Sequence, residues 1–437
     1  MLYESRRDDH LLLVNPLNGH WWVGPQDEED EGRQEIQTLS AVADTQAPPD
    51  YPMMIVAIKN RDCNIDCTYC FAEADKEHSY LTKDELILVL RKVLDSFPHK
   101  MINFLFTGGE PFLHFPVISE AIRVFHGSLD EAERSRCRFS FMSNGTAFKK
   151  SMLPFLKDYE INLGISLDGP ADIHDRNRPY RGGQGSFKNV MTGISLLQNA
   201  GIAYSTVTTI TAPEDVNKCF DFMLEKEIYR MFFRPLRMQG QELNQLKNRH
   251  YDIVDRNNYE QDMAEAMLAI ADRIVAINRV GNIKLVEMTL ALHTLHLLRR
   301  DNPYMCLRSP CGAATMSKLG VDWEGNFFPC DTMVEFRDLK MFGLDELVQG
   351  QDIESLIRTS GSHQKLCQRT TANISECQNC LARQFCGGGC SASSYDFFGD
   401  LQSPGDRCHY ERALFEGLLW RTAETPEFPE QLIQHMA

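Results

Sequence analysis

Six short apolar runs alternate with longer amphipathic segments between residues 53 and 236, and this alternation constrains the fold more than any other feature of the chain. Runs with so little polar interruption are typical of strands buried on both faces of a parallel sheet. Right-handed crossovers bring the carboxyl ends of such strands, and the loops after them, to one edge. The sequence therefore predicts an α/β fold, a partial (β/α)6 barrel, with strands in MMIVAI, INFLFTGG, RFSFMSNG, INLGISLDG, YSTVTTIT and YRMFFRPL.

The segment after the first run carries the clearest helix signals. Thr82 and Glu85 have the spacing of a capping box, and Leu81 and Leu86 have that of a hydrophobic staple. Pro98 cannot continue a helix. We therefore expect an amphipathic helix that starts at the capping box and ends before the proline.

Three cysteines, Cys63, Cys67 and Cys70, follow the first run in a C-x3-C-x2-C pattern. Their loop lies at the edge of the sheet where active sites of such folds occur. Three thiolates can ligate three irons of a four-iron cluster and leave the fourth iron open to a substrate or cofactor. A zinc knuckle is the alternative, but structural zinc usually takes four ligands in paired C-x2-C units, which this triad fits poorly.

With Tyr69 before its last cysteine, the triad resembles the signature of the radical S-adenosylmethionine (SAM) superfamily. The resemblance implies that the open iron binds the amino and carboxylate groups of SAM, and that Tyr69 packs near the adenine. It also implies an enzyme in which the reduced cluster cleaves SAM to methionine and a 5′-deoxyadenosyl radical. That radical then removes a hydrogen atom from the substrate.

The ends of the next three runs carry residues that the resemblance assigns to SAM. Glycines let a backbone approach a ligand closely, and TGGEP at the end of the second run resembles the family motif that holds the SAM amino group. Related peptide-modifying enzymes contact SAM through a serine and an arginine twelve residues later, which are Ser166 and Arg178 here. The residues predicted to bind SAM are Tyr69, Gly108, Gly109, Glu110, Ser143, Asn144, Ser166, Asp168 and Arg178.

Residues 306–408 form a loop-rich segment with eight further cysteines in a regular pattern, in addition to Cys367. The pattern resembles the SPASM domain, an extension of many peptide-modifying radical SAM enzymes. The resemblance implies three four-iron clusters in all, although zinc also suits C-x2-C-x5-C spacing. Cys137 and Cys219 are expected in the core, and Cys367 is a possible substitute ligand. The implied ligands are Cys306, Cys311, Cys330 and Cys390 for auxiliary cluster I, and Cys377, Cys380, Cys386 and Cys408 for auxiliary cluster II.

Asp331 directly follows Cys330, and anaerobic sulfatase maturases carry a similar pair in which the aspartate is the proposed base. A carboxylate beside a cluster suits removal of a substrate proton, so Asp331 is the candidate catalytic residue. SPASM enzymes mostly modify ribosomally made peptides, and HLLLVNPLNGHWWVG resembles amino-terminal segments of enzymes that crosslink such peptides. The sequence is therefore interpreted as a peptide maturase that installs a carbon–carbon or thioether crosslink or an oxidation.

Two other functions stay open at this point. One is an anaerobic sulfatase maturase that makes formylglycine from cysteine or serine. The other belongs to a different class, a non-catalytic iron–sulfur electron carrier or a zinc-stapled scaffold. Release of 5′-deoxyadenosine from SAM would distinguish an enzyme from a non-catalytic carrier or scaffold.

The net charge of −16 argues against nucleic acid or an anionic membrane as the main partner. No apolar run is long enough to span a membrane and no signal peptide is evident, so we expect a cytoplasmic protein. The expected partners are a precursor peptide or a sulfatase, and an electron donor of the flavodoxin or ferredoxin type. The predicted segments are a β-hairpin extension (1–25), an acidic, proline-containing linker (26–52), the barrel (53–245), a helical bridge (246–305), the SPASM domain (306–410) and a helical tail (411–437).

Overall fold

Two sheets contain all the strands in the described part of the chain, which comprises residues 2–40, 51–72, 79–237, 256–298 and 305–436 of a computed structural model. One is a three-stranded antiparallel sheet at the amino terminus, and the other has nine strands. In chain order the strands are β1 (Tyr3–Arg7), β2 (His10–Val14), β3 (Trp21–Pro25), β4 (Met53–Asn60), β5 (Met101–Gly108), β6 (Cys137–Ser143), β7 (Asn162–Ser166), β8 (Tyr204–Ile210), β9 (Arg230–Pro235), β10 (Val286–Glu287), β11 (Lys318–Val321) and β12 (Phe327–Phe328).

The six predicted runs form six adjacent parallel strands, from β4 to β9 in order, so the predicted α/β fold is confirmed. The registers align apolar residues across the sheet, as in the row that pairs Ile58 with Phe106 and Phe106 with Phe141. Short strands extend both edges: β10 pairs with β9, and β11 pairs with β4, both in parallel. Because β11 and β12 come from the cysteine-rich segment, that segment is part of the main sheet.

Helices cover the outer face of the nine-stranded sheet and build the carboxyl-terminal part of the protein. The helix predicted after the first strand begins at Lys83, and both hydrogen bonds of the capping box between Thr82 and Glu85 are present. Leu86, Leu90 and Val93 on its apolar stripe are buried. The helices are α1 (Glu29–Ser40), α2 (Lys83–Ser96), α3 (Phe115–Gly127), α4 (Glu131–Ser135), α5 (Leu153–Asp158), α6 (Ala171–Asn177), α7 (Phe187–Asn199), α8 (Asp215–Glu225), α9 (Arg256–Val280), α10 (Met288–Leu297), α11 (Leu344–Val348), α12 (Ile353–Thr359), α13 (Gly361–Cys367), α14 (Arg383–Cys386), α15 (Ser391–Phe398), α16 (Cys408–Glu424) and α17 (Phe428–Ile433).

The amino-terminal sheet contains the predicted hairpin, formed by β2 and β3, and an additional strand, β1. Its turn uses Gly19 at a φ of +74°, where a residue without a side chain is favoured. One face of the sheet joins the main core through Leu12 and Val14. The opposite face is covered by α1, whose Ile36 packs with Leu11 and Leu13.

This helix departs from the flexible linker expected for residues 26–52. The acidic composition suggested disorder, but Ile36 is buried and Gly32 lies against the ring of Trp22. Tertiary packing therefore stabilises a helix that composition alone does not favour. The rest of that linker, residues 41–50, lies outside the described residues, as do 238–245 of the predicted barrel and 246–255 and 299–304 of the predicted helical bridge.

Helices α9 and α16 pack together and carry α17 against them. Arg421 on α16 forms a bidentate ion pair with Asp272 on α9, at 2.7 and 2.9 Å. Asn278 links the end of α9 to the backbone carbonyls of Leu285 and Gln431 at 2.9 and 2.7 Å. None of the helices in the described part of the chain combines the length and apolar composition needed to span a bilayer.

Candidate functional site

The loop after β4 brings Cys63, Cys67 and Cys70 close enough for their charges to interact. The loop is fixed to the segment after α6, since the amide of Asp66 donates to the carbonyl of Pro179 at 2.8 Å. Burial raises the pKa of the Cys63 thiol to about 12, and the pKa of Cys67 is raised for the same reason. A bound metal cluster would supply the positive charge that holds such thiols as thiolates.

Gly108 and Gly109, at the end of β5, pass directly over the start of this loop. A Cβ atom on Gly108 would lie 2.3 Å from the carbonyl oxygen of Asn60, and one on Gly109 would lie 2.1 Å from that of Asp62. The amides of Gly109 and Glu110 donate to these same two carbonyls, each at 2.7 Å. Only glycine allows this approach of two backbones.

Glu110 is fully buried and connects the end of β5 to the end of β6. Its carboxylate accepts hydrogen bonds from the amide of Phe112 at 3.0 Å, the hydroxyl of Ser143 at 2.9 Å and the amide of Asn144 at 2.7 Å. Burial raises the pKa of Glu110 to about 7, against the effect of these donors. The side-chain amide of Asn144 in turn lies 3.8 Å from the sulfur of Cys63. The predicted residues Glu110, Ser143 and Asn144 thus form one network that reaches the cysteine loop.

Asp168, after β7, is the centre of a second network. It accepts a hydrogen bond from the hydroxyl of Tyr69, and its Oδ2 lies 3.0 Å from Nε of Arg178. The Arg178 guanidinium stands 5.2 Å from the centre of the Tyr69 ring and 3.8 Å from the sulfur of Cys67. Burial opposes the charge of Arg178, but Asp168 outweighs it and holds the pKa of Arg178 above its ordinary value. Ser166 lies two residues before Asp168, at the end of β7, and is partly exposed.

One residue of this network was missed by sequence reasoning. The ring of His174, on α6, accepts a hydrogen bond from the amide of Asp168 at 3.1 Å and contacts the hydroxyl of Ser186 at 3.0 Å. Burial lowers the pKa of His174 to about 4, so the ring is neutral at physiological pH. The segment IHDRNR after SLDGP was the available signal, but its spacing does not reveal that the histidine turns back to its own strand end.

The four cysteines assigned to auxiliary cluster II line one cavity of about 470 Å³, together with Cys390. The four thiols are close enough to interact electrostatically, since Cys377, Cys380 and Cys408 each act on Cys386. Burial raises the pKa of Cys377 to about 11 and that of Cys408 to about 12.

The cysteines assigned to auxiliary cluster I lie around the junction of the barrel and the carboxyl-terminal segment. Cys330 interacts electrostatically with Cys390, and both Cys306 and Cys311 act on Tyr51. Cys390 also lines the cavity of the other group, so the two cysteine groups are adjacent. Cys367, the possible substitute ligand, is exposed on α13. Of the described cysteines assigned to auxiliary cluster I, only Cys311 interacts electrostatically with it.

The donor arrangement fits iron–sulfur clusters. Within the described ranges, no three His, Cys, Asp or Glu side chains converge at the distances of a single bound metal ion. A four-iron cluster holds its thiolates farther apart than one tetrahedral ion does. The cysteine-lined cavity and the glycine contacts beside Cys63 supply the space and the close backbone approach that clusters and SAM need.

Asp331 lies at the barrel mouth, with its side chain 32% exposed. Burial raises its pKa, but nearby cations outweigh this and hold the pKa below the ordinary value, so the group is a carboxylate at neutral pH. Lys318 on β11 has its Nζ 3.8 Å from Oδ1 of Asp331. The other cations are Arg237, Lys59 at the end of β4 and Arg234 at the end of β9.

A further cavity of about 550 Å³ opens between β9, α10 and the carboxyl-terminal segment. Arg234, Arg237, Cys306 and Cys390 line it, together with a buried pair in which Nε2 of His293 lies 2.9 Å from Glu411. Nδ1 of the same ring lies 2.6 Å from the carbonyl of Thr289. Both ring nitrogens of His293 therefore face oxygen atoms.

Comparisons with known proteins agree with this geometry. Residues 58–225 match the radical SAM superfamily. The chain is 22% identical over 379 residues to the cysteine-type anaerobic sulfatase-maturating enzyme of Clostridium novyi (strain NT), which covers 83% of this chain and 94% of that protein.

Solved structures share the fold at lower identity. Native anSMEcpe with bound AdoMet matches with a TM-score of 0.68 at 20% identity, over 85% of this chain and 98% of that one. SuiB of Streptococcus suis, bound to S-adenosylmethionine, matches with a TM-score of 0.56 at 14% identity, over 93% and 98% of the two chains.

Residues 58–225 thus form a radical SAM domain, a class that uses a four-iron cluster and SAM, and the similarity to sulfatase-maturating enzymes indicates an enzyme. Its sequence is similar to those of anaerobic sulfatase-maturating enzymes, and its fold is similar to those of anSMEcpe and SuiB. The non-catalytic carrier and scaffold interpretations are therefore wrong.

Proposed function

We propose that this enzyme matures a ribosomally made precursor peptide by removing two hydrogens from it, forming a crosslink or an oxidised side chain. The observation that carries the oxidative chemistry, which both candidates below share, is the position of Asp331, while the amino-terminal sheet favours a peptide substrate. This carboxylate is next to Cys330 and is acted on by Lys59 and Arg234, which end β4 and β9 on opposite sides of the mouth. These contacts support a site in which the proposed proton acceptor lies beside a proposed cluster ligand and near the ends of two barrel strands.

Three four-iron clusters are part of the proposal, held by the eleven cysteines given above. When bound, the clusters and SAM supply the 5′-deoxyadenosyl radical and accept one electron from the substrate. SAM would be held by the glycines at the end of β5, with Ser166 and Arg178 across the mouth. Tyr69 and Asp168 position Arg178 beside Cys67.

The proposed oxidation of the substrate accounts for each hydrogen atom, proton and electron that is removed. The substrate loses one hydrogen atom to the radical, which becomes 5′-deoxyadenosine, and then one proton and one electron. Asp331 takes the proton, since it is ionised and partly open to the mouth. Cys306, Cys311, Cys330 and Cys390 would hold auxiliary cluster I, which would supply an acceptor for the electron, and a flavodoxin- or ferredoxin-type partner would exchange electrons with the enzyme.

The amino-terminal sheet favours a peptide substrate. Strands β1 and β3 are its outer strands, and an outer strand can pair with an extended chain through backbone hydrogen bonds. The SuiB fold covers 93% of this chain, whereas the fold of anSMEcpe with bound AdoMet covers 85%. SuiB has also been solved bound to its precursor peptide SuiA.

An anaerobic sulfatase maturase is the second candidate. The adjacent pair Cys330 and Asp331 favours it, as does the similarity to sulfatase-maturating enzymes over more than four-fifths of the chain. In that case the product is formylglycine, which carries an aldehyde.

The test uses the reconstituted, reduced enzyme with SAM and two substrates in parallel. One is a short peptide encoded beside the gene, and the other is a peptide with the target cysteine or serine of a sulfatase. We expect 5′-deoxyadenosine together with loss of two hydrogens from the first peptide and no reaction of the product with a carbonyl reagent. A product that reacts as an aldehyde would support the second candidate, and no 5′-deoxyadenosine above background with either peptide would contradict both.

Iron content tests the cluster assignment separately. The protein should bind about twelve irons, and the triple variant Cys63→Ala/Cys67→Ala/Cys70→Ala about eight, with no SAM cleavage. Cys367→Ala is the matched control, because this cysteine is exposed and assigned to no cluster, and it should keep the full iron content. About four irons together with zinc in the unmodified protein would contradict the auxiliary clusters.

A further inference from the structure

The sulfur atoms assigned to auxiliary cluster I are surrounded by hydrogen-bond donors from side chains. Donors of this kind stabilise negative charge on ligand sulfurs, and so favour the reduced form of an iron–sulfur cluster. Three of the four sulfurs have one: Arg237 Nη1 is 3.8 Å from Cys390, Ser391 Oγ is 3.7 Å from Cys311, and Thr332 Oγ1 is 3.0 Å from Cys330.

The sulfurs assigned to auxiliary cluster II have different surroundings. In the part of the chain that the structure describes, Cys380 accepts hydrogen bonds from the backbone amides of Ala382 and Arg383, and we find no side-chain donor to these four sulfurs. Charges of both signs act on both groups: Glu411 acts on Cys386 and Arg412 on Cys380, while Asp331 and Lys318 act on Cys330. The difference between the two groups therefore lies in the side-chain donors that reach the sulfurs of auxiliary cluster I.

Among the side-chain donors to the sulfurs of auxiliary cluster I, Arg237 should have the largest effect on the reduction potential. It follows β9 and lines the cavity of about 550 Å³ together with Cys390, whose sulfur its Nη1 contacts. Unlike the hydroxyls of Ser391 and Thr332, it carries a full charge at any accessible pH. Partial burial removes the water that would screen this charge.

We propose that Arg237 is a positioning residue that raises the reduction potential of auxiliary cluster I above that of auxiliary cluster II. One-electron reduction adds a negative charge to the cluster, and the guanidinium stabilises the reduced form. Auxiliary cluster I, held by its four cysteines, would be an acceptor for the one electron that the substrate gives up after losing its hydrogen atom and proton. The inference rests on the proposed ligands of the two clusters and not on the identity of the peptide.

The test is a potentiometric titration followed by electron paramagnetic resonance, with dithionite as reductant. It uses the full-length chain in which Cys63, Cys67 and Cys70 are alanine, so that only the two auxiliary clusters titrate. Arg237→Gln should shift one of the two one-electron steps to lower potential by about 59 mV, a tenfold change in the reduction equilibrium. The other step should not move.

Two variants separate charge from packing. Arg237→Lys keeps the charge and should retain more than half of the potential that Arg237→Gln loses. Arg230→Gln removes an exposed arginine at the opposite end of β9 and should change neither step.

Three results would overturn the inference. They are unchanged potentials in Arg237→Gln, equal shifts in the glutamine and lysine variants, and a fall from about eight irons to about four in Arg237→Gln, which would make the residue a requirement for assembly. The titration needs no SAM cleavage, so its outcome is independent of the assay for 5′-deoxyadenosine described above.

Discussion

Two buried carboxylates, Glu110 and Glu287, are held by hydrogen-bond donors. Glu110 accepts two backbone amides and a serine hydroxyl. Glu287 accepts the amides of Phe233, Thr289 and Leu290 at 2.7, 3.1 and 2.8 Å, and so caps α10 while it fixes the end of β9. Burial nevertheless raises the pKa of each to about 7. Their protonation is therefore coupled to folding.

Glu287 gives a prediction for the pH dependence of stability. Its pKa is higher in the folded protein, so its contribution to stability is complete below pH 4.5 and is lost as the pH rises to about 7. The total is ~3 kcal/mol, from a shift of about 2.5 pKa units. Glu287→Gln cannot ionise, so the unfolding midpoint of the variant minus that of the wild type should increase between pH 5 and pH 8.

Thermal unfolding of the two proteins, monitored by circular dichroism across that range, measures this difference. The control is Glu131→Gln, an exposed glutamate in the first turn of α4, for which the difference should stay flat. If the unfolding midpoint of Glu287→Gln minus that of the wild type decreased with pH, the three amide donors would lower the pKa of Glu287 more than burial raises it.

At the scale of elements, the ends of the parallel strands build the site. The end of β5 lies on the loop after β4, the end of β6 reaches Cys63 through Asn144, and the end of β7 reaches Cys67 through Asp168 and Arg178. The spacing between strand ends therefore determines the distances between the residues proposed to bind SAM.

Gly108→Ala tests this contact between strand ends. Gly108 has a φ of +102°, and a Cβ atom would lie 2.3 Å from the carbonyl of Asn60, so β5 and the cysteine loop must separate. Strain of ~1–3 kcal/mol should lower SAM affinity and the rate of 5′-deoxyadenosine release by about ten- to a hundredfold.

Gly127→Ala is the matched control, since no atom lies within 4 Å of its added Cβ, and it should behave as the wild type. SAM binding measured by calorimetry and 5′-deoxyadenosine measured by chromatography report the effect. Wild-type values for Gly108→Ala would mean that the close approach is not needed for SAM.

The sequence predicted the six strands and α2 correctly because their signals are local. It did not predict α1, which is stabilised by the burial of Ile36 against the amino-terminal sheet. It also did not predict β11, a strand of four residues that pairs with the distant strand β4 and with the two-residue strand β12. The contact of Arg237 with Cys390 joins residues 153 positions apart, and no spacing rule reports such a pair. The motifs thus gave the residue types at the site, while the hydrogen-bond partners required the fold.

At the scale of the molecule, the carboxyl-terminal segment is connected to the rest at several places. Its strand β11 pairs with β4, and Glu416 on α16 accepts hydrogen bonds from Tyr3 at 3.0 Å and Ser5 at 2.5 Å. Gln384 donates to the carbonyl of Leu17 in the amino-terminal hairpin at 2.7 Å. The two ends of the chain therefore pack on each other.

Removal of iron should affect this segment more than the barrel. Short helices and loops between residues 306 and 408 depend on the cysteine ligands, because metal binding contributes directly to the folding of such segments. Hydrogen exchange measured by mass spectrometry should show loss of protection there after chelation, with β5 to β8 still protected. Reconstitution with iron and sulfide should restore protection, and equal loss in both regions would contradict the expectation.

The pairing of β11 with β4 also determines how long β4 lacks this partner strand during translation. Roughly 260 residues separate the two strands, so at about 5–20 residues per second the ribosome needs about 13 to 50 s to deliver the partner of β4 after that strand has emerged. During this interval the backbone groups along one side of β4 are open to other nascent chains. Slower elongation lengthens the exposure in proportion, so the yield of soluble enzyme should depend on translation rate and on chaperones that shield strand edges.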